Sequence, residues 1–192
     1  MRTNATVPPD FFHDLYRDSP DPWRFETSEY EQAKYAATLA ALPRARYRRG
    51  LEIGCSIGVL TERLASRCDS LLATDLSETA LARARARCRH QPRVEFRCMT
   101  MPRDLPEGGF DLIVLSEVGY YWSQRDLATM AGFAAERLEV GGDLVLVHWI
   151  EGGDDKPLDG NQVHDRFAAE PGFVVLRDEN RDPYRLSVLQ RR

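Results

Sequence analysis

The sequence lacks several features that mark specialised classes of protein. Its four cysteines form no C-x-x-C pair, which argues against a zinc site. No apolar run reaches about 18 residues, and no signal-type hydrophobic region opens the chain. The formal net charge is −4, so there is no overall positive field to attract nucleic acid. We therefore expect a cytoplasmic protein without a metal, a membrane contact or a nucleic-acid partner.

What the chain does contain fits one globular α/β domain. Of its 192 residues, 43% are hydrophobic and 29% are charged, which is typical of a folded domain with a proper core. From residue 50 onward, strand-like and helix-like segments alternate, and this alternation predicts a parallel sheet with helices on both faces. The last two strand-like segments lie too close together for a crossover helix, so one of them should be antiparallel.

The predicted fold is therefore an α/β, Rossmann-like three-layer sandwich. Its sheet is expected to be mostly parallel and seven-stranded, with one antiparallel strand near the C-terminus. The predicted strands are Leu51–Ile53, Leu71–Thr74, Val94–Cys98, Leu112–Leu115, Leu144–Val147, Phe173–Leu176 and Tyr184–Leu189. The predicted helices are residues 30–42, 59–66, 77–89, 126–138 and 161–169.

Residues 1–29 differ from the rest in their content of proline and large aromatic side chains. They predict an irregular arm that packs onto the rest of the protein, because so many large apolar groups would not stay in water. The helix that follows should stop at Pro43. We expect residues 1–48 to form the arm and first helix and residues 49–192 to form the core of a single domain.

A nucleoside site is predicted at the ends of the first two strands. The stretch from Gly50 to Gly58 reads as a short strand, a glycine turn and the start of a helix, and ligands bind beyond the carboxyl ends of such strands. The second strand ends at Asp75, about 20 residues past the turn, where an acid can accept both hydroxyls of a ribose. The alternative is an ordinary turn with acidic residues nearby by chance. The glycine turn and the strand-end acid occur at the separation that a nucleoside site requires, which argues against this alternative.

The residues of the turn distinguish a nucleoside ligand that contains a pyrophosphate from one that carries positive charge. A pyrophosphate fingerprint needs glycine at positions 54, 56 and 59, where this chain has Gly54, Ser56 and Val59. Glu52, just before the turn, would repel a pyrophosphate but would attract a ligand with a sulfonium and an α-ammonium group. A nicotinamide-dependent oxidoreductase is therefore disfavoured.

The pattern acid-x-Gly-x-x-x-Gly followed by a strand-end acid resembles the class I S-adenosylmethionine-dependent methyltransferases. In that family the middle position of the turn is often glycine, where this chain has Ser56, and an acid often follows the third strand, where this chain has Met99-Thr100-Met101. The segment from Phe110 to Glu117 matches the family's fourth strand, whose end lies near the methionine moiety and the acceptor. The resemblance implies S-adenosyl-L-methionine as cofactor and S-adenosyl-L-homocysteine as product.

Four further stretches resemble a narrower group, the nodulation protein S (NodS) N-methyltransferases. They are residues 21–25, residues 30–35, residues 116–121, and His148-Trp149 taken with residues 163–165. Enzymes of this group N-methylate a deacetylated glucosamine end of a chitooligosaccharide, and their N-terminal arm and first helix cover the cofactor. The cofactor-binding residues that the two resemblances imply are Trp23, Tyr30, Lys34, Glu52, Gly54, Ser56, Gly58, Asp75, Leu76, Thr100, Met101, Ser116 and Glu117. Trp23 could instead be a core anchor and Lys34 a solvated charge.

The candidate catalytic residues are Glu117, His148 and His164, with Asp165 beside them. An amine must be neutral when it attacks, and a nearby carboxylate or imidazole can take its proton. Glu117 is favoured because it ends a buried strand on the ligand side. The alternatives are a cap or turn partner for Glu117 and a surface cap for His164.

Three aromatic residues, Tyr120, Tyr121 and Trp149, could stack on a sugar ring of the acceptor, or they could belong to the core. The leading function is an N-methyltransferase acting on an amino sugar or another small molecule, with a chitooligosaccharide as one such acceptor. A small-molecule O-methyltransferase and a non-catalytic S-adenosylmethionine-binding protein remain as alternatives. We expect a monomer or a homodimer.

Overall fold

The computed structural model describes residues 4–151 and 156–192, so the first three residues of the predicted arm lie outside it. The chain forms two compact units. The N-terminal unit is Pro8–Asp104, and the C-terminal unit comprises Met1–Val7 with Leu105–Arg192. The boundary expected at residue 48 stays a prediction.

Each unit alternates helices with strands. The N-terminal unit contains α1 (Pro9–Asp18), α2 (Glu29–Ala41), β1 (Tyr47–Ile53), α3 (Val59–Leu64), β2 (Cys68–Asp75), α4 (Glu78–Arg87) and β3 (Val94–Cys98). The C-terminal unit contains β4 (Phe110–Ser116), α5 (Gln124–Arg137), β5 (Leu138–Trp149), α6 (Gly160–Ala168), β6 (Phe173–Arg181) and β7 (Tyr184–Arg191). Short 3-10 turns span Ala65–Arg67 and Gly119–Tyr121.

The seven strands have the order β3-β2-β1-β4-β5-β7-β6. In the N-terminal unit, β1 pairs with β2 and β2 with β3, both in parallel. In the C-terminal unit, β4 and β5 are parallel, whereas β7 runs antiparallel to both β5 and β6. The prediction of a mostly parallel α/β sheet with one antiparallel strand near the C-terminus is confirmed.

Local sequence explains why these elements form where they do. The apolar run Leu112–Leu115 lies inside β4 with each side chain at most 1% exposed, as expected of a strand that is covered on both faces. The side chain of Ser77 accepts a hydrogen bond from the backbone N–H of Ala80 and so caps α4. Leu81 and Ala84 form the buried face of that helix, as its apolar spacing predicts.

The predicted irregular arm is wrong in one respect, because it contains the helix α1. Proline is tolerated in the first turn of a helix, where the missing N–H would have no partner in any case, and Pro9 occupies that turn. Asp10 lies in the same turn, where a negative charge is favourable. Tyr16, only 5% exposed, anchors the other end of the helix.

Parallel pairing brings strand ends together within each unit. In the N-terminal unit Ile53 of β1 pairs with Thr74 of β2, so the turn after β1 lies beside Asp75. In the C-terminal unit Ser116 of β4 pairs with Val147 of β5, so Glu117 lies beside the end of β5. Over the residues that the structure describes, no helix is both long and apolar enough to span a bilayer.

Candidate active site

The turn between β1 and α3 has an unusual backbone. Gly54 and Gly58 have φ angles of +79° and +81°, and Ser56 between them has φ +48°. A side chain at Gly58 would place its Cβ 2.9 Å from the Cα of Ala84 on α4, so both the backbone angle and the close helix require glycine there. The turn is thereby pressed against α4.

Three consecutive backbone N–H groups at the start of this turn donate hydrogen bonds within the protein. Those of Gly54 and Cys55 both donate to the carbonyl oxygen of Thr74, at 2.8 and 2.9 Å. That of Ser56 donates to Asp75 Oδ2 at 2.9 Å. A phosphate-binding loop needs such groups aimed at its ligand, so this arrangement disfavours a pyrophosphate, in agreement with the missing glycines.

Glu52 is a buried carboxylate just before the turn. It is 2% exposed, and its Oε2 atom has no hydrogen-bond partner among the described residues. Burial raises the pKa of Glu52 to about 7, and the charge of Asp75 adds to this while the hydroxyl of Thr61 opposes it. Buried polar atoms are nearly always paired in native proteins, so an unpaired carboxylate oxygen marks a place for a positively charged or donating ligand.

Asp75 ends β2 and holds the turn in place. Its Oδ2 accepts from the backbone N–H of Ser56, and its Oδ1 accepts from that of Ser77 at 2.9 Å. Desolvation raises the pKa of Asp75, against the opposing effect of the N–H groups of Ser77 and Ser56. The backbone N–H of Leu76 also acts on this carboxylate, which can accept about four hydrogen bonds and so keeps capacity for a ribose hydroxyl. Leu76 follows it, half-buried.

Ser56, at the position where glycine was expected, ties the arm to the turn. Its hydroxyl forms a hydrogen bond of 2.5 Å with the phenol of Tyr16 on α1. Tyr16 meets Trp23 edge to face at 5.7 Å, and Trp23 stacks on Phe25 at 5.5 Å. Tyr16 is not among the residues that the sequence predicts for the site, because its only signal is the hydroxyl at Ser56, 40 residues away.

Helix α2 supplies a buried cation. Lys34 is 2% exposed, pairs with Glu31 at 2.9 Å and lies 5.1 Å from the ring centre of the half-buried Tyr30. The interpretation of Lys34 as a solvated charge is therefore wrong. A buried lysine needs a charged partner, and Glu31 provides it.

The loop after β3 does contain an acid near Thr100. The backbone N–H of Thr100 donates to Asp104 Oδ2 at 2.8 Å, so the carboxylate lies beside the predicted adenine contact although it is four residues further along the chain. The neighbouring Arg103, followed by that N–H, lowers the pKa of Asp104. Met101 is buried at 7% exposure. Asp104 is not among the predicted residues, because the family pattern places the acid at the position of Met99-Thr100-Met101 itself.

In the C-terminal unit the candidate base lies in a strained turn. Ser116 ends β4, half-buried, and Glu117 follows with φ +59°. Glu117 Oε2 accepts from the hydroxyl of Tyr120 at 2.6 Å and from the backbone N–H of Trp149 at 3.0 Å. A non-glycine residue at this φ costs on the order of 1 kcal/mol or more, and such strain is commonest at functional sites.

The three candidate acceptor-binding aromatics differ in exposure. Tyr120 is 6% exposed, with its ring edge to face against those of Tyr121 and His148. Tyr121 is half-buried, and Trp149 is 37% exposed, with its indole N–H donating to the carbonyl of Glu151. Tyr120 therefore holds Glu117 and packs in the core, whereas Trp149 remains partly exposed.

His148 and His164 are both buried, at 0% and 1% exposure. His148 Nε2 accepts from the backbone N–H of Gly119 at 3.1 Å, and its Nδ1 lies 3.1 Å from His164 Nε2. His164 Nδ1 lies 2.6 Å from the hydroxyl of Ser187. His164 is thus not a surface cap, and burial, followed by the nearby His148 and Arg185, holds its pKa well below the usual range.

The chain matches one known protein family over most of its length. Residues 9–138, more than half of the chain, match the family described as Nodulation protein S (NodS). The chain belongs to the NodS family. The resemblance that the sequence motifs indicated is therefore confirmed.

Known NodS proteins share moderate identity with this chain. Nodulation protein S of Sinorhizobium fredii is 33% identical over 113 residues, and that of Bradyrhizobium diazoefficiens is 37% identical over 111 residues. Each alignment covers 57% of this chain and 52% of the relative, so the chain spans about half the length of the curated relatives it matches. The crystal structure of the N-methyltransferase NodS from Bradyrhizobium japonicum WM9 in complex with S-adenosyl-L-homocysteine matches with a TM-score of 0.80 and 25% identity, covering 93% of this chain and 96% of that chain.

The NodS match includes some of the candidate residues and omits others. It runs from α1 to the first residue of β5, and so contains the glycine turn, Asp75, Glu117 and Tyr120. It ends before His148, Trp149 and His164. The roles of all these residues toward a ligand stay predictions.

Proposed function

We propose that this protein is an S-adenosylmethionine-dependent methyltransferase that N-methylates an amino group of an amino sugar or another small molecule. The observation that carries the proposal is the buried carboxylate oxygen of Glu52 that has no hydrogen-bond partner among the described residues. It precedes a turn in which the N–H groups of Gly54, Cys55 and Ser56 are bonded within the protein. A carboxylate there favours a cationic nucleoside ligand over an anionic one. Membership of the NodS family supports the same choice.

The residues of the N-terminal unit fit this cofactor. Glu52 would hold its α-ammonium group, Asp75 its ribose hydroxyls, and the loop from Thr100 its adenine. Trp23, Tyr30 and Lys34 are proposed to contact its methionyl end, with Tyr16 fixing the arm that carries Trp23. When bound, the cofactor supplies a methyl group on a sulfonium, which is already activated for transfer to a nucleophile.

The residues of the C-terminal unit would serve the acceptor. The Glu117 carboxylate can bind an ammonium group and take its proton, which leaves the nitrogen neutral for attack. Its orientation is fixed by the Tyr120 hydroxyl and the Trp149 N–H, so the base does not have to be ordered during the reaction. The exposed face of Trp149 would stack on a sugar ring.

An amine is favoured over a hydroxyl as acceptor because of a relative's known chemistry. The solved NodS protein is an N-methyltransferase, and Phosphoethanolamine N-methyltransferase 3 of Arabidopsis thaliana is 26% identical to this chain over 176 residues. A chitooligosaccharide with a free amino group is the acceptor we propose to test first. Cys55, Cys68 and Cys88 are buried and form no disulfide, which supports a reducing, cytoplasmic location.

The cofactor half of the proposal is tested by calorimetry with S-adenosyl-L-homocysteine. We expect binding by the wild type and a loss on the order of 10-fold or more for Asp75→Ala, since about 1.4 kcal/mol is tenfold and charged hydrogen bonds contribute about 1.5–3 kcal/mol. The matched control is Asp69→Asn at the opposite end of β2, whose exposed carboxylate pairs with Arg46 at 2.5 Å. No binding by the wild type, or equal binding by both variants, would contradict the proposal.

A further inference from the structure

The two buried histidines belong to a continuous chain of hydrogen bonds in the C-terminal unit. The chain begins at the backbone N–H of Gly119 and passes through His148, His164 and Ser187 to Asp178. The last step, from the Ser187 hydroxyl to Asp178 Oδ1, measures 2.6 Å. It links the turn that carries Glu117 to strands β6 and β7.

The two ends of the chain fix the position of every proton within it. A backbone N–H can only donate, so His148 Nε2 must be unprotonated and its proton must sit on Nδ1. That proton points to His164 Nε2, which places the proton of His164 on Nδ1, facing Ser187. The Ser187 hydroxyl then donates to Asp178, whose pKa Arg185 lowers, so that the chain ends on a charged acceptor.

This arrangement leaves neither imidazole able to accept a proton without losing a hydrogen bond. Protonation of His148 Nε2 would set two donors against each other at Gly119, and protonation of His164 Nε2 would do the same between the rings. His164 also lies near the positive Arg185, which opposes a second charge. This geometry favours a positioning role for the two histidines over the predicted role as bases.

The geometry points to His148 and His164 as positioning residues that hold the Gly119 turn, and with it the Glu117 carboxylate, for the acceptor. The turn packs closely against α6 and His148, since a Cβ at Gly119 would lie 2.5 Å from Val163 Cγ1 and 3.0 Å from His148 Nε2. This inference rests on the proposed function in one respect only, namely that Glu117 serves the acceptor.

Two substitutions of His148 separate the halves of its role. In Gln the terminal amide lies near the position of Nε2, so His148→Gln can keep the bond to Gly119 and lose the one to His164. In Asn the amide lies near Nδ1, so His148→Asn can keep the bond to His164 and lose the one to Gly119.

We expect His148→Asn to lower kcat on the order of 10- to 100-fold, as small misplacements in active sites do, and His148→Gln to recover most of that loss. S-adenosyl-L-homocysteine affinity and the shape of the pH profile of kcat should not change in either variant. Equal loss in both variants together with loss of a limb of the pH profile would identify His148 as the base and overturn the inference. Wild-type turnover in both would also overturn it.

A second measurement does not depend on activity or on the stability of variants. Nitrogen-15 NMR of the histidine-labelled wild type, titrated through the range around pH 6.5 where free histidine charges, reports the tautomer of each ring. We expect both rings to be neutral with the proton on Nδ1. An Nε2–H tautomer or an imidazolium at either ring would overturn the inference. If the wild type transfers no methyl group, the proposed function fails. This measurement still shows whether the protons of the hydrogen-bond chain lie where we infer.

Discussion

Replacing Glu52 with glutamine should change how stability depends on pH. The pKa of Glu52 is raised from an ordinary 4.5 to about 7, mainly by burial. The folded protein therefore holds a proton that the unfolded chain has lost between these two values, and the free energy of unfolding must fall as pH rises through that window. Above about pH 7 the carboxylate is ionised in both the folded and the unfolded state. The free energy of unfolding then contains the full cost of burying the charge and no longer falls with pH.

The size of this effect follows from the two pKa values. At about 1.4 kcal/mol for each pKa unit, the full cost is about 3 kcal/mol, of which about 2 to 3 kcal/mol develops between about pH 5 and about pH 8. Glu52→Gln has no such titration. Relative to the wild type, the variant should therefore become more stable by that amount as the pH is raised.

Urea unfolding of both proteins at the two pH values measures this difference. The matched control is Glu62→Gln on α3, which removes a carboxylate that is about half exposed and ion-paired with Arg87 at 3.8 Å. Parallel stability curves for Glu52→Gln and the wild type would refute the assignment of a buried charge to Glu52. The same carboxylate should bind the α-ammonium of S-adenosyl-L-homocysteine, so wild-type affinity should rise with pH through about 7 and that of the variant should not.

Two further predictions concern contacts within each unit. Tyr16→Phe should cost about 1 kcal/mol of stability in the wild type and close to none in a Ser56→Gly background, because the hydrogen bond they share is absent there; a double-mutant cycle without coupling would contradict this. Gly119→Ala should cost about 1–3 kcal/mol, because its Cβ would lie 2.5 Å from Val163 Cγ1. Val163→Ala in the same protein should restore part of that loss, and strictly additive unfolding energies would show that the overlap is not the cause.

The features that could be predicted from the sequence are those that depend on residues close together in the chain. The apolar run of β4, the Ser77 cap and the glycine turn followed by Asp75 each lie within a short stretch, where residue type and backbone geometry are directly linked. Parallel pairing then brings the turn to Asp75 without further information. For these reasons the sheet and the closeness of the glycine turn to Asp75 could be predicted.

The features that could not be predicted from the sequence depend on contacts between residues that are distant in the chain. Nothing near Tyr16 indicates that its hydroxyl meets Ser56, and nothing near His148 indicates that His164 and Ser187 complete a chain of hydrogen bonds. Residue type alone also misleads about burial, since lysine is usually a surface residue but Lys34 lies in the interior. Such roles follow from tertiary packing, which a single sequence does not specify.

The central claim is methyl transfer to an amine, and its most direct test is mass spectrometry of acceptors incubated with the protein and S-adenosyl-L-methionine. We predict that amino sugars or chitooligosaccharides with a free amino group gain one methyl group, on nitrogen. Glu117→Gln should abolish this gain while keeping S-adenosyl-L-homocysteine affinity, and Glu136→Gln on the exposed side of α5 should not affect it. Cofactor binding without methyl gain on any acceptor would indicate a non-catalytic binding protein, and a gain on oxygen alone would indicate an O-methyltransferase; either result would contradict the account.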